Sequence, residues 1–319
     1  MEKAKIYFFK NFEKIIVLSI LLIIIIINFF VPYKFGFLNF FYLPIIVAGY
    51  FLGRRMAVLT ALLCVLFVIV LIIISPSSFF AVEMENTYII LGLTGWGSFL
   101  ILTSAAMGYL YDEKEKKIKE IKNAYIGILE ILSKYLESAD RYAQGHSVRV
   151  SHLAEDIARV MGLPSYEREN IKAAALLHDI GKTEISMDIV KKAASLTSKE
   201  RELMDTHSEK GARIISLVGG VLEEAVPIVL AHHKYYFEKK DLSEKERSAI
   251  PLGAEIIAVA DAYDAMITDR PYRAGMQPWK AFEEIEKESG KQFRPEVVKA
   301  FKEVLMTSDK YGKEEKETH

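Results

Sequence analysis

Histidine is the residue whose placement first suggests chemistry in this chain. All seven histidines, His146, His152, His178, His207, His232, His233 and His319, lie beyond residue 145. Five of them stand where ligands are expected. The run AALLHDIGK delivers His178 and Asp179 side by side at the end of an apolar helix, which Gly181 then ends. Two chargeable side chains there are costly to bury without partners, and a metal is a good partner. Lys182 follows one turn later, on the same face, where an ammonium can hold a phosphate. His232 and His233 end the apolar run VPIVLA. Asp261 and Asp264 share one face at the end of AEIIAVADAYDAM, His207 follows a helix in MDTHSEKG, and His146 opens one in QGHSVRV. Imidazole with carboxylate suits iron, manganese or zinc. The donors are too many for one tetrahedral zinc, and a carboxylate shared among several histidines suggests two metals clamping a phosphoryl group. His152 and His319 read as ordinary cap or surface histidines.

The elements that position these residues are helical. Three- and four-residue apolar spacing predicts helices over Ser151–Met161, Tyr166–Leu177, Ser198–Val218, Leu222–His232 and Leu252–Thr268, and clean strand alternation is scarce. An all-α bundle is expected. Ahead of it, residues 111–139 carry Ile118, Ile121, Tyr125, Ile128, Leu132 and Tyr135 as a helical stripe. That stripe fits a short coiled coil with a second copy, the reading favoured here, or a helix packed on its own domain.

The N-terminal third is of a different kind. Apolar runs cover Ile15–Val31, Phe37–Leu52, Met56–Ile74 and Tyr88–Tyr109; the second is shorter and holds Pro44 and Gly49, and the others are near the length that crosses a bilayer. Lys3, Lys5, Lys10 and Lys14, then Arg54 and Arg55, then Lys114, Lys116 and Lys117 all fall on one side if there are four crossings, which puts both termini in the cytoplasm. A cleavable signal peptide is set aside because no small-x-small site follows the first run. The runs lack the ionisable residues that a transport pathway needs, so an anchor or sensor is expected. The 319 residues carry a formal net charge of −1, which argues against bulk nucleic-acid binding, and the single Cys64 excludes an internal disulfide framework. The expected organisation is a membrane region at 1–110, a connector at 111–139, a metal domain at 140–308 and a charged tail at 309–319.

From about Asp140 to Phe301 the chain resembles the HD superfamily, and within it the HD-GYP group of cyclic di-GMP phosphodiesterases. The matching segments are GHSVRV, LLHDIGKTEI, LTSKERELMDTHSEKGARII, AHH, IPLGAEIIAVADAYDAMITDRPYR and GKQFRPEVV. The resemblance implies that His146, His178, Asp179 and Asp261 hold one metal. Asp179 then bridges to a second, completed by His207, His232 and His233. A water shared by the metals, its pKa lowered towards about 7, attacks phosphorus. Asp179, Lys182 and Asp264 form the implied catalytic set, with Lys182, Arg270 and Arg273 on the substrate. Some members place a third metal on a Glu four residues before the first His; here that position is Tyr142, so two divalent ions are expected, iron or manganese ahead of zinc, magnesium or others.

The sequence also departs from the group. The Gly-Tyr-Pro loop is absent: Lys234–Ala249 has the family's length but none of its glycines, and Lys240, Asp241 and Leu242 stand where Gly-Tyr-Pro would be. Glu255 stands where Arg is usual, and Arg294 where Asp is usual between Phe293 and Pro295. The resulting expectation is a membrane-bound phosphodiesterase acting on a cyclic dinucleotide, most simply cyclic di-GMP. The alternatives are a phosphohydrolase for another nucleotide or phosphoester, and a catalytically weak nucleotide-binding module.

Overall fold

The structure, a computed structural model, describes residues 11–32, 34–80, 86–138, 144–192, 196–234, 236, 250–269 and 274–307. Among them helices dominate and no β-strand occurs. The chain divides into two compact units, Met1–Asn123 and Ala124–His319.

In the first unit, α1 spans Phe12–Phe30. A 3-10 helix Phe35–Phe41 leads into α2, Tyr42–Leu52; α3 spans Arg54–Ile74, and α4 begins at Asn86 and runs to Glu137. Four helical stretches, Phe12–Phe30, Phe35–Leu52, Arg54–Ile74 and Thr87–Glu137, are long and apolar enough to cross a membrane. Pro44 falls in the first turn of α2, where its missing N–H breaks no helix bond. A small interior forms from Leu21, Phe41, Ile45, Cys64, Val68 and Leu100. The opposite faces are equally apolar and exposed, as at Phe30, Leu66 and Leu91. A helix that is hydrophobic all round needs an apolar surrounding. Two cationic or N–H donors inside the unit are matched locally. Lys34 Nζ donates to the carbonyls of Asn28 and Val31 at 2.9 and 3.0 Å, closing the end of α1, and Trp96 Nε1 donates to Leu38 O at 3.0 Å.

In the second unit, the last turns of α4 pack on the core through Leu129, with Tyr125, Ile126 and Leu136 half-buried beside it. The stripe expected to pair with a second copy is rotated from this one. Ile121, Ile128 and Tyr135 face outward, and of the predicted set Tyr125 alone packs against the core. The remaining helices are α5 (His146–Val160), α6 (Ser165–Leu177), α7 (Ser198–Asp205), α8 (His207–Ser216), α9 (Val226–Ala231), α10 (Leu252–Ile267), α11 (Pro278–Lys287) and α12 (Pro295–Thr307). Val150, Leu153 and Ile157 of α5, Leu176 and Leu177 of α6, Ile256, Val259 and Tyr263 of α10, and Val297 and Phe301 of α12 meet in one core.

Two predicted helices are divided. Ser198–Val218 breaks after Asp205, so α8 begins at His207 itself; Thr206 Oγ1 donates to Leu203 O at 2.6 Å at the break. Leu222–His232 starts as a 3-10 turn, Glu223–Ala225, before α9, where Pro227 lies in the first turn. The first predicted helix begins five residues earlier than expected, at His146 rather than Ser151.

The two sequence departures near the C-terminus meet each other. Arg294 Nη1 donates to Glu255 Oε2 at 3.1 Å, and Glu255 is 5% exposed. Where the HD-GYP pattern has Arg and then Asp, this chain has Glu and then Arg, so the signs are exchanged and the attraction is kept. Removing one partner of a buried pair strands the other charge. Arg294→Asp is expected to cost about 3 kcal/mol, the lower end of that range because Arg294 is a third exposed. Adding Glu255→Arg should recover most of the loss, read as the denaturation midpoint of both variants. A double variant no more stable than Arg294→Asp would refute the exchange.

Candidate metal centre

The site is built where helices end. α6 delivers His178 as its C-cap and Asp179 just beyond, α8 opens with His207, α9 closes into His232 and His233, α5 opens with His146, and α10 carries Asp261 and Asp264. Each helix buries an apolar face, and the ends of α5, α6, α8 and α9 meet the later turns of α10 at one common point.

Two groups of donor atoms result. His207, His232 and His233 bring ligand atoms within 4.8 Å of one another, and so do His146, His178 and Asp179. Asp179 stands between them: Oδ1 is 3.6 Å from His207 Nε2, and Oδ2 is 3.6 Å from His178 Nε2. Asp261 Oδ1 lies 3.2 Å from His146 Nε2. Lys182 Nζ donates to Asp179 Oδ2 at 2.6 Å. All seven residues expected as metal ligands are therefore brought together, with Lys182 beside them. Arg270, Arg273, Tyr142 and nearly all of the Lys234–Ala249 loop lie outside the described residues.

The hydrogen bonds of the rings test whether these groups suit a metal. His178, His207 and His232 each place Nδ1 on the carbonyl three residues back, at Ala175, Met204 and Val229, with distances of 2.7, 2.6 and 2.6 Å. A carbonyl only accepts, so each Nδ1 carries the proton and each Nε2 of the neutral ring is a lone pair. Yet His207 Nε2 lies 3.4 Å from His232 Nε2 and 3.2 Å from His233 Nε2. Two lone pairs in contact repel unless a cation or a proton stands at them. Burial, the largest effect, holds both His207 and His232 below the ordinary histidine value, and so disfavours the proton. A divalent ion fits this donor set.

His146 is held differently. Nδ1 is 2.8 Å from Asp264 Oδ2, and Arg149 grips the same carboxylate from behind, Nε to Oδ1 at 2.6 Å and Nη2 to Oδ2 at 3.0 Å. Burial opposes charge on this ring, but its hydrogen bonds with Asp261 and Asp264 outweigh that and raise it to about 10. Asp264 is buried and contacts His146 and Arg149, which makes it a residue that orients a ligand from behind. Asp264→Asn, which keeps the shape and drops the charge, is expected to weaken metal binding about 10–100-fold. Titration of the purified chain with Mn(II) checks this, and unchanged affinity would deny the orienting role.

Sequence reasoning missed two residues here. Arg149 stood in view within GHSVRV, but its partner is 115 positions away. Glu137 is the last residue of α4, and its carboxylate accepts from Gly145 N at 2.6 Å and Ser147 N at 2.7 Å. It thereby closes the N-terminus of α5, the helix that opens with His146. The connector stripe hid it, because an exposed charge is the default reading of Glu on such a helix.

Comparison with known proteins gives the family. The family profile described as HD domain matches residues 130–297. A cyclic di-GMP phosphodiesterase of Thermotoga maritima is 38% identical over 59% of this chain and 51% of its own length. A cyclic di-GMP phosphodiesterase of Pseudomonas aeruginosa is 33% identical over 60% of this chain and 45% of its own length. A 3'3'-cGAMP-specific phosphodiesterase of Vibrio cholerae is 30% identical over 52% of this chain and 32% of its own length. The chain thus spans about half the length of the first two relatives. With the profile covering more than half of the sequence, the chain belongs to the HD-domain family.

Proposed function

We propose that this chain is a membrane-embedded, metal-dependent phosphodiesterase that hydrolyses a cyclic dinucleotide, cyclic di-GMP, at the cytoplasmic face. The observation that carries the reading is Asp179, whose two oxygens face two separate groups of imidazoles. The names of the relatives supply the substrate class.

In this reading His146, His178, Asp179 and Asp261 hold one divalent ion, and Asp179, His207, His232 and His233 hold a second, iron or manganese. The ions when bound neutralise charge on the phosphoryl group and acidify water. The chain's own groups do the rest. Asp264 and Arg149 fix the ring of His146. Lys182 swings between Asp179 and a phosphate oxygen. Arg270 and Arg273 contact the dinucleotide. One P–O ester bond breaks, the oxygen of water joins phosphorus, and the departing sugar oxygen takes a proton, leaving a linear dinucleotide. Residues 1–110 form the membrane region with both termini in the cytoplasm, 111–139 the connector, 140–308 the catalytic domain and 309–319 a charged tail. The outward stripe of α4, with Ile121, Ile128 and Tyr135, supports pairing with a second copy.

A second reading takes 3'3'-cGAMP as the substrate, because a relative named for that dinucleotide is 30% identical over 52% of this chain. The test uses the full chain in detergent, loaded with Fe(II) or Mn(II) without oxygen and given each cyclic dinucleotide. Release of the linear product from cyclic di-GMP, abolished by chelator and restored by metal, is the expected result. A folded chain with two metals that opens cyclic di-GMP far more slowly than 3'3'-cGAMP would reassign the substrate. Inertness towards both would overturn the enzyme reading.

A further inference from the structure

The first unit contains a cavity that the phosphodiesterase reading does not use. It lies where α2 turns into α3, measures about 640 Å³, and is lined by Leu52, Arg54, Arg55, Val58, Leu59 and Tyr111, with Gly53 at the turn and Asp112 at the edge. Arg54 and Arg55 open α3, and both are exposed. Neither makes an ion pair or hydrogen bond through its side chain with any described residue. The helix start has no capping side chain.

The arginines are held here by close packing. A Cβ on Gly108 would lie 2.7 Å from Arg54 Cα, so the start of α3 sits directly on the backbone of α4. Gly53 adopts φ 84°, and the Tyr111 ring covers it, 3.1 Å from where a Cβ would stand. Both arginines line the cavity at the start of α3, where the first N–H groups of the helix have no side-chain cap. Below them Val58 and Leu59 continue the apolar surface of a helix long enough to cross a membrane. Arg54 and Arg55 against Asp112 leave one net positive charge, which complements the single negative charge of a phosphodiester.

We infer that this cavity binds the phosphodiester head of a membrane phospholipid, with the phosphate on Arg54 and Arg55 and the first acyl carbons on Val58 and Leu59. Planar guanidinium groups suit phosphate oxygens, and uncapped helix N–H groups add donors of the same polarity. An apolar wall under the anion site selects a lipid over a soluble phosphate ester. The inference rests on the membrane-embedded reading given above.

The full chain, delipidated in detergent, is titrated with phosphatidylglycerol and followed by native mass spectrometry. The expected result is one retained lipid, with Arg54→Gln/Arg55→Gln lowering its retention about tenfold or more. Gln keeps the carbons that pack over Gly108, and helical circular dichroism reports whether the variant folds. If the double variant fails to fold, Arg55→Gln alone is the comparison, with Arg55→Lys expected to restore part of the binding through charge. Millimolar glycerol phosphate should not displace the lipid; displacement would make the site one for soluble phosphate esters and overturn the lipid assignment. Equal retention by wild type and variants would overturn the site while the membrane reading stands. Release of the wild-type chain from membranes by carbonate wash would instead fail the membrane reading, and this site with it.

Discussion

Asp179→Ala is expected to abolish cyclic dinucleotide hydrolysis and to remove metal from both groups of ligands at once. Every other proposed ligand serves one group, whereas the two oxygens of Asp179 each lie 3.6 Å from an imidazole of a different one. Burial works against its charge, yet Lys182 and the surrounding histidines hold this carboxyl well below the usual range, so it is an anion at any working pH. Alanine leaves the two groups of imidazoles with no shared anion and removes the carboxylate that Lys182 Nζ contacts at 2.6 Å. Turnover should fall by at least the ~10²–10³ that loss of one charge-stabilising group costs. Metal analysis should fall from two ions per chain towards none. Lys182→Ala provides the contrast: it should slow turnover and leave the metals bound. A variant Asp179→Ala that keeps two ions per chain would remove the bridging role, whatever its activity.

The legible part of this site was its inventory, and the hidden part was its wiring. The candidate ligands stood out because imidazole and carboxylate at the ends of apolar helices are costly without a partner, and the HDIGK, HH and DAYD segments carry them in short strings. The helices were legible for the same reason, since each buries an apolar face with a period near 3.6. Two kinds of information were not in the local pattern. One is the exact break in a helix: Ser198–Asp205 and His207–Ser216 read as one amphipathic run, and only tertiary packing stops the first so that His207 begins the second. The other is long-range pairing. Glu255 and Arg294 read as two separate irregularities until their 3.1 Å contact showed one exchanged pair. Arg149, Asp264 and His146 likewise become a unit only when α5 and α10 are packed together. The connector shows the opposite failure. Its apolar stripe was correctly seen, but the helix has a neighbouring stripe centred on Leu129, and burial selects between them.

Gly181 had a modest reading in the sequence, as the residue that ends a helix, and the structure gives it a larger one. The helix already stops at Leu177, and Gly181 lies within the 3-10 turn Ile180–Glu184. A Cβ there would stand 1.9 Å from the carbonyl oxygen of His207 and 2.5 Å from the nitrogen of Gly211. Both are backbone atoms of one helix, so no side chain can swing aside. Gly181→Ala must push the Asp179 turn and α8 apart, and those are the two elements whose spacing sets Asp179 against His207. Overpacking of this kind costs about 1–3 kcal/mol, occasionally more. For a domain of this size each kcal/mol is worth about 2–4 °C, so the expected fall in Tm is about 6–12 °C if the cost reaches the upper end. Gly211→Ala is the matched control. Its Cβ would meet its nearest neighbours at 3.3–3.4 Å, a contact that small shifts relieve, and alanine is the better helix former. Gly211→Ala should therefore stay near the wild-type Tm with both metals bound, while Gly181→Ala loses stability and also binds the second metal more weakly. Equal behaviour of the two variants would mean that the turn and α8 are not held at this contact, and that His207 reaches Asp179 by some looser path.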